Sequence, residues 1–416
     1  MSQASTARFQ DKRETILDGA ARLFNQQGIN GGMLSEVARN VGLAPNSLTY
    51  YYRRKEDLAC ACLERAMEAM GACADAAARA GRLEERVRGF VTGYLALLAQ
   101  IARGLHPELI LFNEILTISP PHSAAMGSSY NQLFRRVRAL LDAPDAPALA
   151  ADARNARAHL LLSTTSWTRG WIARHEPDDY ALVGERVADV LLHGIAAARR
   201  LPEAPQIDLP WAELDGTGAD GDTTRTSYLK AATRLVNEHG YRGASVDRIA
   251  AELKLTKGSF YHHHPTKEEL IVACFERTFA VIRAAQQGAA AAPGSGADRL
   301  AIACRALLEF QLSAHGPLLR VTAWTGLPEA IRTDMRRTLG RLGERFATLV
   351  LEGMQDGSLR VVDPFVAAQL VNGMLNAAAE LERWVRGVHA GNAFELYAMP
   401  VFTGLARQSG EAARPA

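Results

Sequence analysis

Near the start of the chain, apolar side chains recur with the spacing of short helices, and the same spacing returns 212 positions later. Ile16, Ala20, Leu23 and Phe24 fall at i, i+4, i+7 and i+8, which is one face of a helix. Tyr228, Ala232, Leu235 and Val236 repeat that face. Gly28 and Gly240 follow directly, where a helix end favours a glycine in the left-handed region. Leu34, Val37, Ala38 and Val41 predict a second helix, and Val246, Ile249, Ala250 and Leu253 its counterpart. A tight connection follows, Gly42-Leu43-Ala44 in one copy and Lys254-Leu255-Thr256 in the other. A third short helix then starts at Pro45 or at Lys257.

The shift is a duplication. Residues 13–65 laid on 225–277 without a gap share 18 of 53 positions, where composition alone gives roughly three or four. Between the copies, Leu201 to Asp222 carries prolines and glycines and no helical period, so it reads as a linker. Fully extended, it spans about 70 Å, so its length does not fix how the halves sit. Leu209 and Trp211 are its candidate anchors.

Three helices with a tight second turn predict a helix-turn-helix. Ala38 and Ala250 sit where two helices cross closely. Val37, Val41, Leu43 and Leu48 fill the joint, as do Ile249, Leu253, Leu255 and Phe260. With Leu48 and Tyr51 facing inward, Asn46, Thr49, Tyr50 and Arg53 point outward. In the second copy Gly258, Tyr261, His262 and Pro265 do so, flanked by Lys257 and Ser259. Small, polar and aromatic groups on an exposed short helix suit a DNA major groove. Lys55 and Lys267 open the next helix, where a cation opposes the helix dipole, so a phosphate at that end would account for them. The caps differ: Ser245 and Thr256 suit N-caps, whereas Met33 and Ala44 do not. Lys254 stands where the turn prefers glycine, costing about 1 kcal/mol if it is left-handed.

These residues resemble the DNA-binding domain of the TetR family of bacterial regulators, most closely in KGSFYHHHPTKEELI and more loosely in PNSLTYYYRRKEDLA. The resemblance covers about a quarter of the chain. It implies an all-helical protein in which a three-helix head precedes a larger helical body that binds a small ligand and dimerises. The implied division is 1–58 and 223–270 for the heads, 59–200 and 271–410 for the bodies, and 201–222 for the linker. The family's DNA-contacting positions carry over onto Asn46, Ser47, Thr49, Tyr50, Tyr51 and Lys55, and onto Lys257, Ser259, Tyr261, His262 and Lys267. The last two helices of each body, about 155–200 and 364–408, are implied to pair. Gly194 and Gly404 close the two halves at matching places.

Composition adds limits. A net charge of +2 announces no nucleic-acid binder, so that role needs a local basic surface. The five cysteines include no CxxC pair and suggest reduced thiols in a cytoplasmic protein. Neither a signal core nor a membrane-crossing stretch is evident. His262-His263-His264 suggests a metal site only superficially, because consecutive helical residues do not face one point. The body aromatics, among them Trp167, Trp171, Trp324, Trp384, Phe112 and Phe134, either line an effector pocket or fill a core. His106, Glu108 and Glu114 have no catalytic spacing. The expected function is thus a ligand-responsive DNA-binding repressor, without catalytic residues, cofactor or metal, whose partners are double-stranded DNA and a small effector. If the halves pair within one chain, a pseudo-dimer reads two unlike half-sites; otherwise a homodimer carries four heads. The alternative function is a small-molecule-binding or scaffold protein with degenerate heads.

Overall fold

The computed structural model describes residues 3–29, 32–112, 115, 118, 121–197, 202–214, 223–321, 327 and 329–407. The first head comprises α1 (Gln3–Gln27), α2 (Leu34–Asn40) and α3 (Pro45–Tyr51). Helix α4 (Lys55–Ala77) continues from it into the body. There it packs with α5 (Leu83–Ala102), α6 (His122–Ala139), α7 (Ala151–Trp167) and α8 (Tyr180–His193). A short α9 (Trp211–Leu214) lies in the linker. The second head comprises α10 (Thr223–Gly243), α11 (Val246–Glu252) and α12 (Lys257–His263). Its body contains α13 (Lys267–Ala291), α14 (Gly296–Gln311), α15 (Glu329–Gln355), α16 (Pro364–Ala377), α17 (Leu381–Trp384) and α18 (Met399–Thr403), the last preceded by a π-turn, Phe394–Ala398. No strand occurs among the described residues.

The head turns form as their residues dictate. Gly28 and Gly240 take φ of 76° and 70°, ending the first helical run of each head. In each helix-turn-helix the turn closes by a backbone bond onto the small residue before it: Leu43 N to Ala38 O, 2.8 Å, and Leu255 N to Ala250 O, 2.9 Å. Gly42 sits there at φ 67° and Lys254 at φ 56°. A side chain is strained in that region, because Cβ crowds the following carbonyl. Lys254→Gly is therefore expected to stabilise the second head by about 1 kcal/mol, seen as a higher urea midpoint; an unchanged or lower midpoint would count against the strain. The caps follow the residue types. Ser245 Oγ accepts from Arg248 N and Thr256 Oγ1 from Ser259 N, each at 3.2 Å. Met33 and Ala44 offer no side-chain acceptor, although Glu36 reaches back to the Met33 amide at 3.1 Å.

Two expected packing positions differ. Leu255 is 39% exposed rather than buried in the joint; its amide, not its side chain, closes the turn. Just past α3 the inward tyrosine is Tyr52, whose hydroxyl accepts from Arg13 Nε at 3.1 Å, while Tyr51 is only half-buried. Tyr52, four residues past Leu48, leaves the helix with an extended backbone at φ −138° and ψ 109°, and its side chain is the buried one.

Part of the linker is anchored. Leu209 and Ile207 lie against α13 at Gly288, where a Cβ would stand 2.8 and 3.0 Å from them. Trp211 packs on Phe310 of α14, ring centres 5.0 Å apart. Residues 201 and 215–222 of the linker lie outside the described residues.

The halves meet along α7 and α8 on one side and α16 and α18 on the other, within the stretches the resemblance assigns to pairing. One continuous core runs from Phe90 and Leu161 to Val371, Tyr397 and Phe402. Two glycines make the closest approach. Gly194 ends α8 at φ 68° and Gly404 ends α18 at φ 85°. Each crosses the other's chain: Ile195 N donates to Val401 O, Ala196 N to Phe402 O and Leu405 N to Leu191 O, at 3.1, 2.9 and 2.8 Å. Buried Arg157 adds a bond to Leu405 O at 2.7 Å.

Candidate nucleic-acid interface and effector cavity

Helices α3 and α12 present the outer surface of each head. In α3 Leu48 is fully buried, which turns Asn46, Ser47, Thr49 and Tyr50 to the outside, Tyr50 with 78% exposed. Phe9 of α1 stacks on Tyr51 at 4.9 Å and meets Tyr50 edge-on at 6.3 Å, so the aromatic pair is held rather than loose. In α12 Phe260 is the buried anchor, and Lys257, Gly258, Tyr261 and His262 are exposed, with Ser259 half-buried. Of the histidine run, His262 faces outward and His264 is buried against Tyr228 and Phe260.

Two predicted cations are engaged inside their own head. The Lys257 ammonium lies 2.7 Å from Asp247, and that hydrogen bond holds its pKa above the ordinary lysine value. Lys267 bonds the Tyr241 carbonyl and sits over its ring, 4.3 Å from the centre. Lys55 is half-buried at the start of α4. Carboxylates occupy the same first turns, Glu56 and Asp57 in α4 and Glu268 and Glu269 in α13, where they complement the helix dipole.

The same three devices recur in the two halves, two of them joining head to body and the third bracing the body segment they hold. At the end of α1, the Asn25 amide donates to Leu109 O and accepts from Leu111 N, both at 2.9 Å. At the matching place in α10, Asn237 donates to Leu318 O and accepts from Arg320 N, at 2.8 and 2.9 Å. From the long helices, Arg65 bonds Glu108 O, and Arg277 bonds the carbonyls of His315 and Pro317. Cys62 and Cys274 lie against Leu17 O and Leu229 O. These residues were not singled out from the sequence, yet a signal existed: Asn25/Asn237, Cys62/Cys274 and Arg65/Arg277 are polar identities between the copies that the helical faces did not require.

A cavity of about 810 Å³ opens between the halves. The first half contributes Phe112, Tyr130, His159, Trp167, Arg169 and Arg174; the second contributes Arg320, Arg336, Gln369, Asn376, Glu380 and Arg383. Trp167 Nε1 donates across the seam to Gln369 Oε1 at 3.2 Å. His159 is 1% exposed and stacks on Tyr397 and Trp384, ring centres 5.5 and 6.1 Å away. Burial pushes its pKa down to about 4, so the ring is neutral near pH 7. Burial opposes the charge of Glu380, but Arg320, His159 and Arg383 outweigh it and hold the carboxyl below its ordinary value.

Other candidates from the sequence resolve into structural roles. Trp167, Trp171 and Phe112 line the cavity, whereas Phe134 and Trp384 stack on each other at 4.3 Å beside it. Glu108 pairs with Arg169 and lies 3.7 Å from Arg22. Trp324 and Glu114 lie outside the described residues. The thiols of Cys60, Cys62, Cys274 and Cys304 are buried, and burial raises their pKa values to about 11 or 12, far from thiolate character. Among the described residues no three His, Cys, Asp or Glu side chains converge as metal ligands do, and no helix is long and apolar enough to cross a membrane.

Comparison with known proteins agrees with this layout. A family model described as bacterial regulatory proteins, tetR family, matches twice, at residues 16–62 and 229–274. A second, described as tetracyclin repressor-like, C-terminal domain, matches residues 293–386. The Transposon Tn10 TetC protein of Escherichia coli is 37% identical over 62 residues, 15% of this chain and 32% of that protein. An uncharacterized HTH-type transcriptional regulator of Mycobacterium bovis is 30% identical over 81 residues, 20% of this chain and 35% of that one. The chain thus spans about a third of the length of these curated relatives. The crystal structure of the TetR family transcriptional regulator PfmR from Thermus thermophilus aligns over 43% of this chain and 99% of that one, at 26% identity and a TM-score of 0.37.

Proposed function

From a chain that carries two tetR-family DNA-binding units in tandem, we propose a ligand-responsive repressor that works as a pseudo-dimer within one polypeptide and reads an operator with two unlike half-sites. The reading rests on one observation: the two heads present different outward helices, PNSLTYY and KGSFYHH, yet hang from bodies joined by one core. A symmetric homodimer reads a palindrome because its heads are identical; heads that differ call for half-sites that differ. Asn46, Ser47, Thr49, Tyr50 and Tyr51 carry base and backbone contacts in one half-site, with Lys55 on phosphate. Lys257, Ser259, Tyr261 and His262 do so in the other, with Lys267 orienting the head or meeting phosphate. Lys257 must exchange Asp247 for a phosphate on binding, so head two gains less from that lysine than its charge suggests.

The effector acts by favouring an arrangement in which the two heads no longer match the spacing of their half-sites. A coupling of about 1–3 kcal/mol suffices for a 5–150-fold change in affinity. The protein acts in the cytoplasm, on DNA, and no catalytic step is assigned to it.

Selection of bound duplexes from a random library, followed by gel shifts across a salt series, tests the proposal. The expected site is two dissimilar elements one or more helical turns apart, bound by a particle of 45.1 kDa in light scattering. Affinity should fall steeply with salt, with a log–log slope of about −0.9 per phosphate contact. A perfect palindrome, or a mass near twice the chain, would reject the single-chain pseudo-dimer. No selected sequence at low salt would favour the scaffold with degenerate heads, whose first copy lacks side-chain caps at Met33 and Ala44.

A further inference from the structure

The open cavity between the halves carries many cations among its aromatic walls. Six guanidiniums line it: Arg169, Arg174, Arg320, Arg332, Arg336 and Arg383. Among the described residues three carboxylates answer them, Glu108 on Arg169, Glu380 on Arg320, and Glu329 shared by Arg332 and Arg336. Arg174 and Arg383 instead lie over the rings of Phe365 and Trp384, at 5.0 and 5.2 Å. A surplus of cations in a concave, low-dielectric space focuses positive potential on whatever enters. The same walls carry Phe112, Ile115, Ile118, Trp167 and Trp171, which offer little to water.

We propose that this cavity, built jointly by the two halves, binds an amphiphilic organic anion, an acidic head group on an apolar or aryl body. This rests on the reading of the chain as a ligand-responsive regulator and names the ligand class for it. The guanidiniums take the head group through charge-assisted bonds and the aromatic walls take the body. The cavity touches the first head directly and reaches the second through Arg320. Asn25 lines it and holds the Leu109–Leu111 segment, and Arg332 donates to Gln26 O at the end of α1, 2.7 Å. Arg320 lines it too, and its amide is the one Asn237 of α10 accepts. A ligand that draws Arg320 and Arg332 toward its head group therefore pulls on the ends of α1 and α10 together.

The test uses the full chain and three probes: octyl phosphate, 1-octanol and inorganic phosphate, each titrated calorimetrically. Octyl phosphate is expected to bind at least about tenfold tighter than either fragment, the size of one charge-assisted bond. Arg174→Gln, from the first half, and Arg383→Gln, from the second, should each weaken it about tenfold. Gly340→Trp fills the cavity from a position where a new Cβ meets nothing within 4 Å, and should abolish binding while the chain stays folded. Octanol or phosphate binding as tightly as octyl phosphate would overturn the proposal. So would Gly340→Trp removing only half of the binding sites, since a shared cavity cannot lose half. A chain that shifts duplex DNA but ignores octyl phosphate overturns this site alone. A chain that binds octyl phosphate through Arg174 and Arg383 but shifts no duplex leaves the site standing and overturns the regulator.

Discussion

Phe260→Ala should erase protection of one operator half-site in a nuclease footprint and leave the other protected, and Leu48→Ala should do the converse. Each side chain is the fully buried anchor of its outward helix. Removing a buried phenylalanine costs about 3–5 kcal/mol and a buried leucine about 2–5, because the transfer loss is joined by a cavity that neighbours only partly fill. A three-helix head has little stability in reserve. Phe260 packs edge-on against Tyr228 at 5.6 Å in a cluster with Ile249, Leu270 and Phe275, separate from the core that joins the bodies. Loss on that scale is comparable to the stability of such a unit, so the second head opens locally while the bodies stay paired; Leu48 lies in the core that continues into the first body, so there the smaller loss of a leucine has to act against that attachment. Circular dichroism should show most of the helix retained. Protection lost at both halves from either substitution, or at neither, would contradict one head reading one half-site.

Gly404→Ala should be far more damaging than Gly357→Ala, although both glycines have positive φ. Gly357, at φ 75°, has open space where a Cβ would go, so alanine there suffers only backbone strain of about 1–2 kcal/mol. Gly404, at φ 85° and ψ 158°, lies in a region that is essentially glycine-only, and strain there runs to about 1–3 kcal/mol. Its Cβ would also stand 2.1 Å from Leu192 O, a backbone atom that cannot rotate away. Relief requires the seam to part, which forfeits the bonds from Leu405 N to Leu191 O and from Arg157 to Leu405 O. Buried Arg157 would lose that acceptor, and burial already lowers its pKa to about 10. A total above about 4 kcal/mol is expected, in the range that single substitutions reach only by such named causes. Gly194→Ala should behave alike, since its Cβ would meet Phe402 O at 2.2 Å. The readout is thermal unfolding together with light scattering: parted halves expose their apolar seam and associate between chains. Equal midpoints for Gly404→Ala and Gly357→Ala would show that close approach at the seam contributes nothing.

The two heads were legible in the sequence because their determinants are local. A period of 3.6 identifies which of Ile16, Ala20, Leu23 and Phe24 share a face, and φ-demanding turns are visible as Gly28, Gly42 and Gly240. Even the strained Lys254 could be read from its partner Gly42. Where the same logic slipped, at Tyr51 and Leu255, the element was short and near its end, where one residue of phase changes which side chain faces inward.

By itself the sequence determined the duplication, the helical class, the outward residues of α3 and α12, and the two glycines that close the halves. It did so because each follows from spacing within one element or from comparing one copy with the other. Only the tertiary structure decided that Asn25 and Asn237 fasten the heads, that Lys257 and Lys267 are engaged at home, and that six arginines from both halves surround one cavity. Those facts depend on which surfaces meet once separate elements pack: Asn25 finds Leu109 84 positions on, and Trp167 finds Gln369 202 positions on. An arginine on a helix has the same local signature whether it faces water or a partner half, because solvated charge and enclosed charge differ only in what packing brings opposite them.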